Sequence, residues 1–275
     1  MPSVHDRGGS AAEIPATLSC MNILGIDVGG SGIKGAPVDL AVGDFAAPRL
    51  RIPTPEKSSP KNVAAVAAEI VAHFKDHLAD NARIGLTIPA PVIHGTVPFI
   101  ANLHKSWTGC EAAKFFEDSL GRPVTLVNDA DAAGLAEVHY GAAKGNEGLV
   151  IMTTLGTGIG TAIIYRGVLI PNAELGHVEL DGHDAESRAA SSIKDREGLS
   201  YKEWSVRLQR YYSHIEMLFS PDLFVVGGGV SKDSEKFLPR LELKTPIVPA
   251  TLRNRAGIIG AALAARDAEQ HPESR

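Results

Sequence analysis

Cysteine is scarce. The 275 residues hold two, Cys20 and Cys110, which excludes a disulfide framework. No apolar run approaches the length of a transmembrane helix. There is no excess of positive charge either. The formal net charge is −5, which argues against a general nucleic-acid or membrane surface. Residues 1–19 lack the basic start and apolar middle of a secretory signal. Thr17-Leu18-Ser19-Cys20 has the outline of a lipidation site, but no apolar segment stands ahead of it. No stretch is of low complexity. These absences predict a cytoplasmic protein with a disordered leader over 1–20, and Met21 is a second candidate start.

What is present points to a globular enzyme. Hydrophobic residues make up 44% of the chain, and the length suits one or two domains with an ample core. The informative stretch is Asn22 to Asp39. Ile23–Ile26 reads as a buried strand ending in a carboxylate, Asp27. Gly29, Gly30, Ser31 and Gly32 follow, and an extended pattern then resumes at Ile33. Glycines let the backbone approach a ligand closely, and a turn of exposed N–H groups cradles an anion. Lys34 adds positive charge nearby. A carboxylate beside such a cradle would repel phosphate unless a cation or water mediates, so the stretch reads as a phosphate and Mg²⁺ site. The same letters spell a dinucleotide fingerprint, Gly30-x-Gly32-x-x-Gly35. That fingerprint needs a helix directly after the glycines, and Gly35, Ala36 and Pro37 are poor helix material. A plain hairpin is the competing reading of this stretch alone.

The pattern recurs about half a chain later. Leu149 to Arg166 again runs from buried strand through glycine turn to strand, with Gly156, Thr157 and Gly158 where Gly29–Gly32 stood. A recurring unit suggests two similar lobes, each offering a phosphate loop to one cleft. Between the copies, Ser59-Pro60 opens a helix, and Val63, Val66, Ile70 and Phe74 fall on one face of it. Arg83–Ile88 reads as a strand, followed by an irregular stretch to Trp107 that contains Asn102. Thr108 to Glu111 has the spacing of a capping box for a helix to about Leu120. A short strand, Val124–Val127, ends in Asn128-Asp129, before a small-residue helix over 130–140. A polar residue and an acid at a strand's carboxyl end sit where α/β proteins bind ligands. A helix cap would account for only one of the two.

After the second copy comes Asn172-Ala173-Glu174-Leu175-Gly176-His177, with Glu179, Asp181 and His183 close behind. A carboxylate and an imidazole three apart can ligate a metal or hold a polyol, whose hydroxyls need both donors and acceptors. Tyr201–Phe219 reads as an amphipathic helix whose Trp204, Leu208, Tyr211, Tyr212 and Ile215 belong to a core. Leu223–Val226 is a strand running into Gly227, Gly228 and Gly229, with a helix expected beyond. A strand over 245–248 and a last small-residue helix over 256–268 close the chain.

The paired glycine turns resemble the two phosphate motifs of the sugar kinase, Hsp70 and actin superfamily. Within it, Asp27-x-Gly29-Gly30, Asn128-Asp129, Gly156 to Gly160, Glu174-x-Gly176-His177 and Gly227–Gly229 occur in the order of the ROK family of sugar kinases. Each motif is weak by itself, and the ordered set is strong. Many ROK proteins follow the His with cysteine zinc ligands, and none follows Cys110 here. That departure and the tail from Leu252 to Ala262 resemble the family's branch of polyphosphate-using glucokinases and glucomannokinases.

The resemblance implies an α/β, two-lobed actin-like (ribonuclease H-like) ATPase fold with a central cleft. The small lobe would take residues 21–129 plus about 256–275, and the large lobe 130–255. The implied reaction phosphorylates glucose, with mannose a second candidate acceptor, at the 6-hydroxyl with ATP or inorganic polyphosphate and Mg²⁺. Asp129 would be the base. Asn102, Asn128, Glu174, His177 and Glu186 would hold the sugar, Glu186 being matched across a deletion. Asp27, Gly29, Gly30, Ser31, Gly32, Lys34, Gly156, Thr157 and Gly158 would cradle phosphate, Asp27 through a metal-bound water, and Gly228 and Gly229 would meet the nucleotide. No residue is assigned to a metal directly and no structural zinc is expected. No nucleic acid or membrane partner is expected, and a homodimer stays open. Lys34, Lys144, Arg166, Lys232, Arg253 and Arg255 are candidate cations along a polyphosphate track. The competing readings are an ATP-only ROK kinase of another hexose, a sugar-sensing ROK regulator, for which a DNA-binding segment before Met21 would be needed, and a nicotinamide oxidoreductase.

Overall fold

The structure, a computed structural model, describes residues 22–270, so the expected leader over 1–20 lies outside it. Two sheets organise those residues. The first contains β1 (Ile23–Val28), β2 (Ile33–Asp39), β3 (Asp44–Phe45), β4 (Leu50–Ile52), β5 (Ile84–Ile88) and β6 (Val124–Asn128), in the order β3-β2-β1-β5-β6 with β4 on β2. β1 is antiparallel to β2 and parallel to β5, and β5 is parallel to β6. Helices α1 (Pro60–His73) and α2 (Ala112–Leu120) cover one face. Leu24, Ile26, Val63, Ile70, Leu86, Trp107 and Phe116 meet there without solvent exposure. The parallel strands are buried on both faces, which is why they read as unbroken apolar runs.

A middle layer follows. α3 (Asp129–Tyr140) lies against the second sheet, and the last helix of the chain, described below, returns to the first. The second sheet runs β13-β12-β7-β8-β9, built from β7 (Leu149–Leu155), β8 (Ile159–Tyr165), β9 (Val168–Ile170), β12 (Leu223–Gly227) and β13 (Ile247–Pro249). A small ribbon of β10 (Glu179–Leu180) and β11 (His183–Asp184) stands apart. The outer face of the second sheet packs against α4 (Glu186–Ala189), α5 (Ser191–Arg196) and α6 (Tyr201–Phe219). Trp204, Leu208, Tyr211, Tyr212 and Ile215 of α6 are buried, as the aromatic stripe predicted.

The closing helix α7 (Ala256–Gln270) presses on the backbone of the first sheet. A Cβ added at Gly25 or Gly85 would collide with the carbonyl oxygens of Ile258 or Ala261. Gly260 is equally tight against Ala132 of α3. Small residues in these helices let backbones approach where longer side chains would hold them apart.

The sequence reading is corrected at three places. Residues 108–111 form no capping box: the helix begins at Ala112 and Glu111 makes no side-chain cap. Gly109 has φ of 76°, and Val97 and Cys110 form a β-bridge just ahead of the helix, so tertiary pairing sets this entry. The expected helix after the third glycine is a run of 3₁₀ turns, Gly229–Lys236, broken at Asp233. The strand expected over 245–248 sits slightly later, at Ile247–Pro249. By contrast, residues 33–39 form a strand antiparallel to β1, which removes the helix that a dinucleotide fingerprint needs.

Candidate active site

Both glycine motifs are hairpin turns at strand ends. In the first, Gly29 N–H donates to Gly32 O at 3.2 Å, and Asp27 pairs with Lys34 across the β1–β2 ladder. In the second, Gly156 N–H donates to Gly158 O at 3.0 Å, and Thr154 pairs with Gly160 across β7–β8. The second turn is one residue tighter. The third glycine segment lies beside it, because Gly227 pairs with Thr154 in the parallel β12–β7 ladder. Gly228 has φ of 84° and backs onto Leu155, so a side chain there would meet both strain and backbone.

Asp27 is held from two sides. Its carboxylate accepts from Lys34 Nζ at 3.1 Å and from the buried Thr87 hydroxyl at 3.0 Å. Thr87 in turn accepts from Val28 N–H. The start of α7 faces the same carboxylate: a Cβ at Gly257 would lie 3.1 Å from Asp27 Oδ1. The carboxylate is thus oriented before any ligand arrives.

Asn128 and Asp129 divide their work. Asn128 Oδ1 caps α3 by accepting from Ala130 and Asp131 N–H at 2.8 and 3.2 Å. Such a cap is typically worth about 1 kcal/mol. It leaves the Asn128 amide N–H groups as the part able to meet a ligand. Burial pushes the Asp129 carboxyl up to about 7, and the negative charges of Asp27 and Glu174 push the same way, against a hydrogen bond from Ala130 N–H. Asp129 therefore senses both the first glycine turn and the Glu174 loop. A base with that pKa changes protonation near neutrality, the useful range for proton transfer.

The segment after β9 brings Glu174 and His177 to the same region. Thr161 of β8 fixes its course, donating to Ala173 O and accepting from Leu175 N–H. Burial raises the Glu174 carboxyl, which His177 lowers and Glu186 raises. The hydrogen bond from His177 Nδ1 to Asp184, 2.8 Å long, raises the imidazole. Glu186 reaches the second glycine turn and accepts from Ile159 N–H at 2.9 Å. His177, Asp184 and Glu186 each bring one potential ligand atom to within 4.8 Å of the others. His183 turns away to Arg188, at 2.8 Å. Asn102 is exposed, on a loop whose backbone approaches Gly30.

The candidate cations fall in three places. Lys232, Arg253 and Arg255 line a cleft of about 880 Å³ together with Arg49 and a single acid, Glu235. Lys144 and Arg166 line a separate, smaller depression, and Lys34 is paired with Asp27. Sequence reasoning also missed five side chains. Arg51 donates to Ser31 O at 2.9 Å and lies against Gly32, and Thr54 donates to Gly29 O. Thr87, Asp131 and Asn172 complete the set. β4 delivers Arg51 by pairing with β2, and β5 delivers Thr87 by pairing with β1, so no local motif announces them.

Paired hairpins with glycine turns, on two sheets that share a helical middle layer, define the actin-like ATPase fold. The ROK family model matches residues 23–197, and the chain belongs to the ROK family. It is 47% identical to a polyphosphate glucokinase of Mycobacterium tuberculosis over 258 residues, 94% of this chain and 96% of that protein. It is 51% identical to the inorganic polyphosphate/ATP-glucomannokinase of Arthrobacter sp. strain KM, whose structure superposes with a TM-score of 0.85 over 91% of this chain and 99% of that one. A ROK hexokinase from Thermus thermophilus is 26% identical, with a TM-score of 0.73 over 91% of this chain and 99% of that one.

Proposed function

We propose that the protein transfers the terminal phosphoryl group of inorganic polyphosphate or ATP to the 6-hydroxyl of glucose. One observation carries this reading: Asp129 follows the end of β6 in the sheet whose β1 carries Asp27 to the first glycine turn, and burial, with the charges of Asp27 and Glu174, raises its carboxyl into the range of a base. In this reading Asp129 removes the hydroxyl proton as oxygen attacks phosphorus. Such a base is usually worth about 10²–10⁴-fold in rate. Glu174, His177, Glu186, Asn102 and the Asn128 amide orient the sugar. The turns at Gly29–Gly32 and Gly156–Gly158, with Lys34, receive the transferred group, and Gly228 and Gly229 border the nucleotide. Mannose, the C2 epimer of glucose, is the second acceptor to test.

Asp27 suits Mg²⁺. Its carboxylate offers oxygen alone, the donor type a hard cation takes, and would hold the ion through a bound water. When bound, the ion supplies neutralising charge to the phosphoryl group. Residues 21–129 with about 256–275 form one lobe in this proposal, and 130–255 the other. The cleft carrying Arg49, Lys232 and Arg253, with Arg255 paired to Asp44 and Glu235 on its wall, supports a polyanionic donor. Low cysteine content suits a reducing, cytoplasmic setting. No helix among the described residues is long and apolar enough to cross a membrane. A homodimer is one assembly to test, by sedimentation.

The test is glucose 6-phosphate formation with each donor alone. Both are expected to work, polyphosphate with the steeper loss of rate as salt rises, because more of its charge meets screened surface contacts. A non-hydrolysable ATP analogue is expected to inhibit polyphosphate use. Failure of polyphosphate free of ATP to yield any product makes the chain an ATP-only hexose kinase. Dialysed protein is expected to carry no stoichiometric zinc; one zinc per chain would reassign His177, Asp184 and Glu186 to a metal.

A further inference from the structure

Asn172 makes three hydrogen bonds that join parts of the molecule far apart in sequence. Its backbone N–H donates to Asp131 Oδ2 of α3 at 2.8 Å. Its side-chain oxygen accepts from Val92 N–H at 2.8 Å, and its side-chain nitrogen donates to Val92 O at 3.0 Å. The amide therefore engages both backbone groups of one residue, as a neighbouring strand would. Val92 belongs to the loop that follows β5 and continues to Asn102. Asn172 stands two residues before Glu174 and five before His177.

The residue type fits this task closely. Asn172 has φ of 61°, the left-handed region that glycine and asparagine tolerate best. Glycine would accept the backbone but could not bridge. Aspartate would keep the acceptor and lose the donor. Asp131 is almost wholly buried, and its second oxygen has no partner, so the Asn172 N–H gives its carboxylate the one hydrogen bond it makes among the described residues.

We propose that Asn172 is a positioning residue that locks the Asn102 loop of the first sheet to the Glu174–His177 segment of the second, so that the two halves of the acceptor site move as one. The proposal rests on the sugar-kinase reading for its kinetic consequence, though not for the contact itself. With the lock intact, sugar closes a prepared site. Without it, the sugar must order two loops separately and pays that entropy on binding. A loosened acceptor side also admits water to the phosphoryl group more readily.

The experiment compares Asn172→Gly and Asn172→Asp with wild type. Asn172→Gly keeps the permitted backbone and loses both bridging bonds. Its KM for glucose is expected to rise about tenfold, the equivalent of roughly 1.4 kcal/mol. KM for ATP should stay within about twofold, and donor hydrolysis should increase relative to sugar phosphorylation. Asn172→Asp should fall between, and it carries the same readouts if the glycine variant does not fold. Amide exchange across residues 91–97, measured without sugar, should quicken in either variant. Equal rises in both KM values, an unchanged glucose KM, or unchanged exchange would each overturn the lock. If the wild type makes no hexose phosphate, the functional reading falls, and the exchange result still judges the contact.

Discussion

The two glycine turns share a backbone plan and differ in what surrounds it. The first is attended by cations: Lys34 pairs with Asp27, and Arg51 lies on Ser31 and Gly32. The second is attended by hydroxyls and an acid. Ser191 donates to Gly156 O at 3.1 Å, Ser192 to Thr157 O at 2.7 Å, and Glu186 takes Ile159 N–H. An anion would be drawn to the first turn by charge and to the second only by its N–H groups. Glu186 explains the asymmetry. It comes from the segment that also carries His177 and Asp184, so the second turn borders the proposed acceptor as well as the donor. One ancestral-looking unit thus serves two chemical environments, set by what neighbouring elements deliver to it.

Asp129 feels the charges of Asp27 beside the first turn and of Glu174, and its loss should cost most. Asp129→Asn keeps size and removes basicity, so kcat is expected to drop by at least about 10²-fold while sugar binding stays measurable by calorimetry. Near-normal turnover in this variant would remove Asp129 from the chemistry. For the wild type, kcat/KM should fall as pH drops below about 7, where the carboxyl takes up its proton. Stability moves the other way. A carboxyl raised in the folded state is stabilising when protonated, in full below the usual carboxylate range, and that contribution is lost as pH climbs through about 7. Asp129→Asn should therefore melt above wild type at pH 8 and alongside it at pH 4.

The next effect in size separates two glycines of the same turn. A Cβ at Gly158 would collide with the Glu186 carboxylate, whereas one at Gly156 meets nothing within 4 Å. Gly158→Ala should displace Glu186, and a misplacement near 1 Å can cost about 10²-fold in rate. Gly156→Ala should be much milder. Equal losses would show that turn flexibility matters and the Glu186 contact does not.

The smallest effect tests the cations of the first turn. Arg51 is exposed, and exposed charge contacts contribute about 0.2–1 kcal/mol, so Arg51→Ala should slow transfer by up to about fivefold. The deficit should shrink as salt rises. Ser192→Ala at the second turn should show no such salt dependence. A salt-dependent loss in both variants would erase the contrast between the turns.

How far the sequence could be read follows the same division between local and delivered. Glycine spacing, apolar strands and the acid at position 27 are local, and both hairpins stand where they were expected. The stripe from Trp204 to Ile215 has helical spacing and folds as a buried helix face. Arg51, Thr87 and the bridge from Asn172 to Val92 escaped because strand register or a loop-to-loop bond sets each. Thr108 misled for a related reason: its spacing suits a cap, but the Val97–Cys110 bridge already fixes that backbone. The cation track was only partly legible, since sequence cannot say which charged side chains share a cleft.

The contact between α3 and α7 has a mechanical meaning. At Gly260 the two rods touch through bare backbone, with no room for even one methyl against Ala132. α3 bears Asp129 at its front end, and Glu137 near its rear accepts from Thr251 and Leu252 N–H at 3.1 and 2.7 Å, gripping the wall of the cationic cleft. α7 is seated just as tightly on the backbone of the first sheet. Such a crossing resists sliding, because any slide must lift one rod over the other. It permits a swivel about the point of touch. The crossing is an axle, and a lever mounted on it would carry Asp129 at one end and the wall of the cationic cleft at the other.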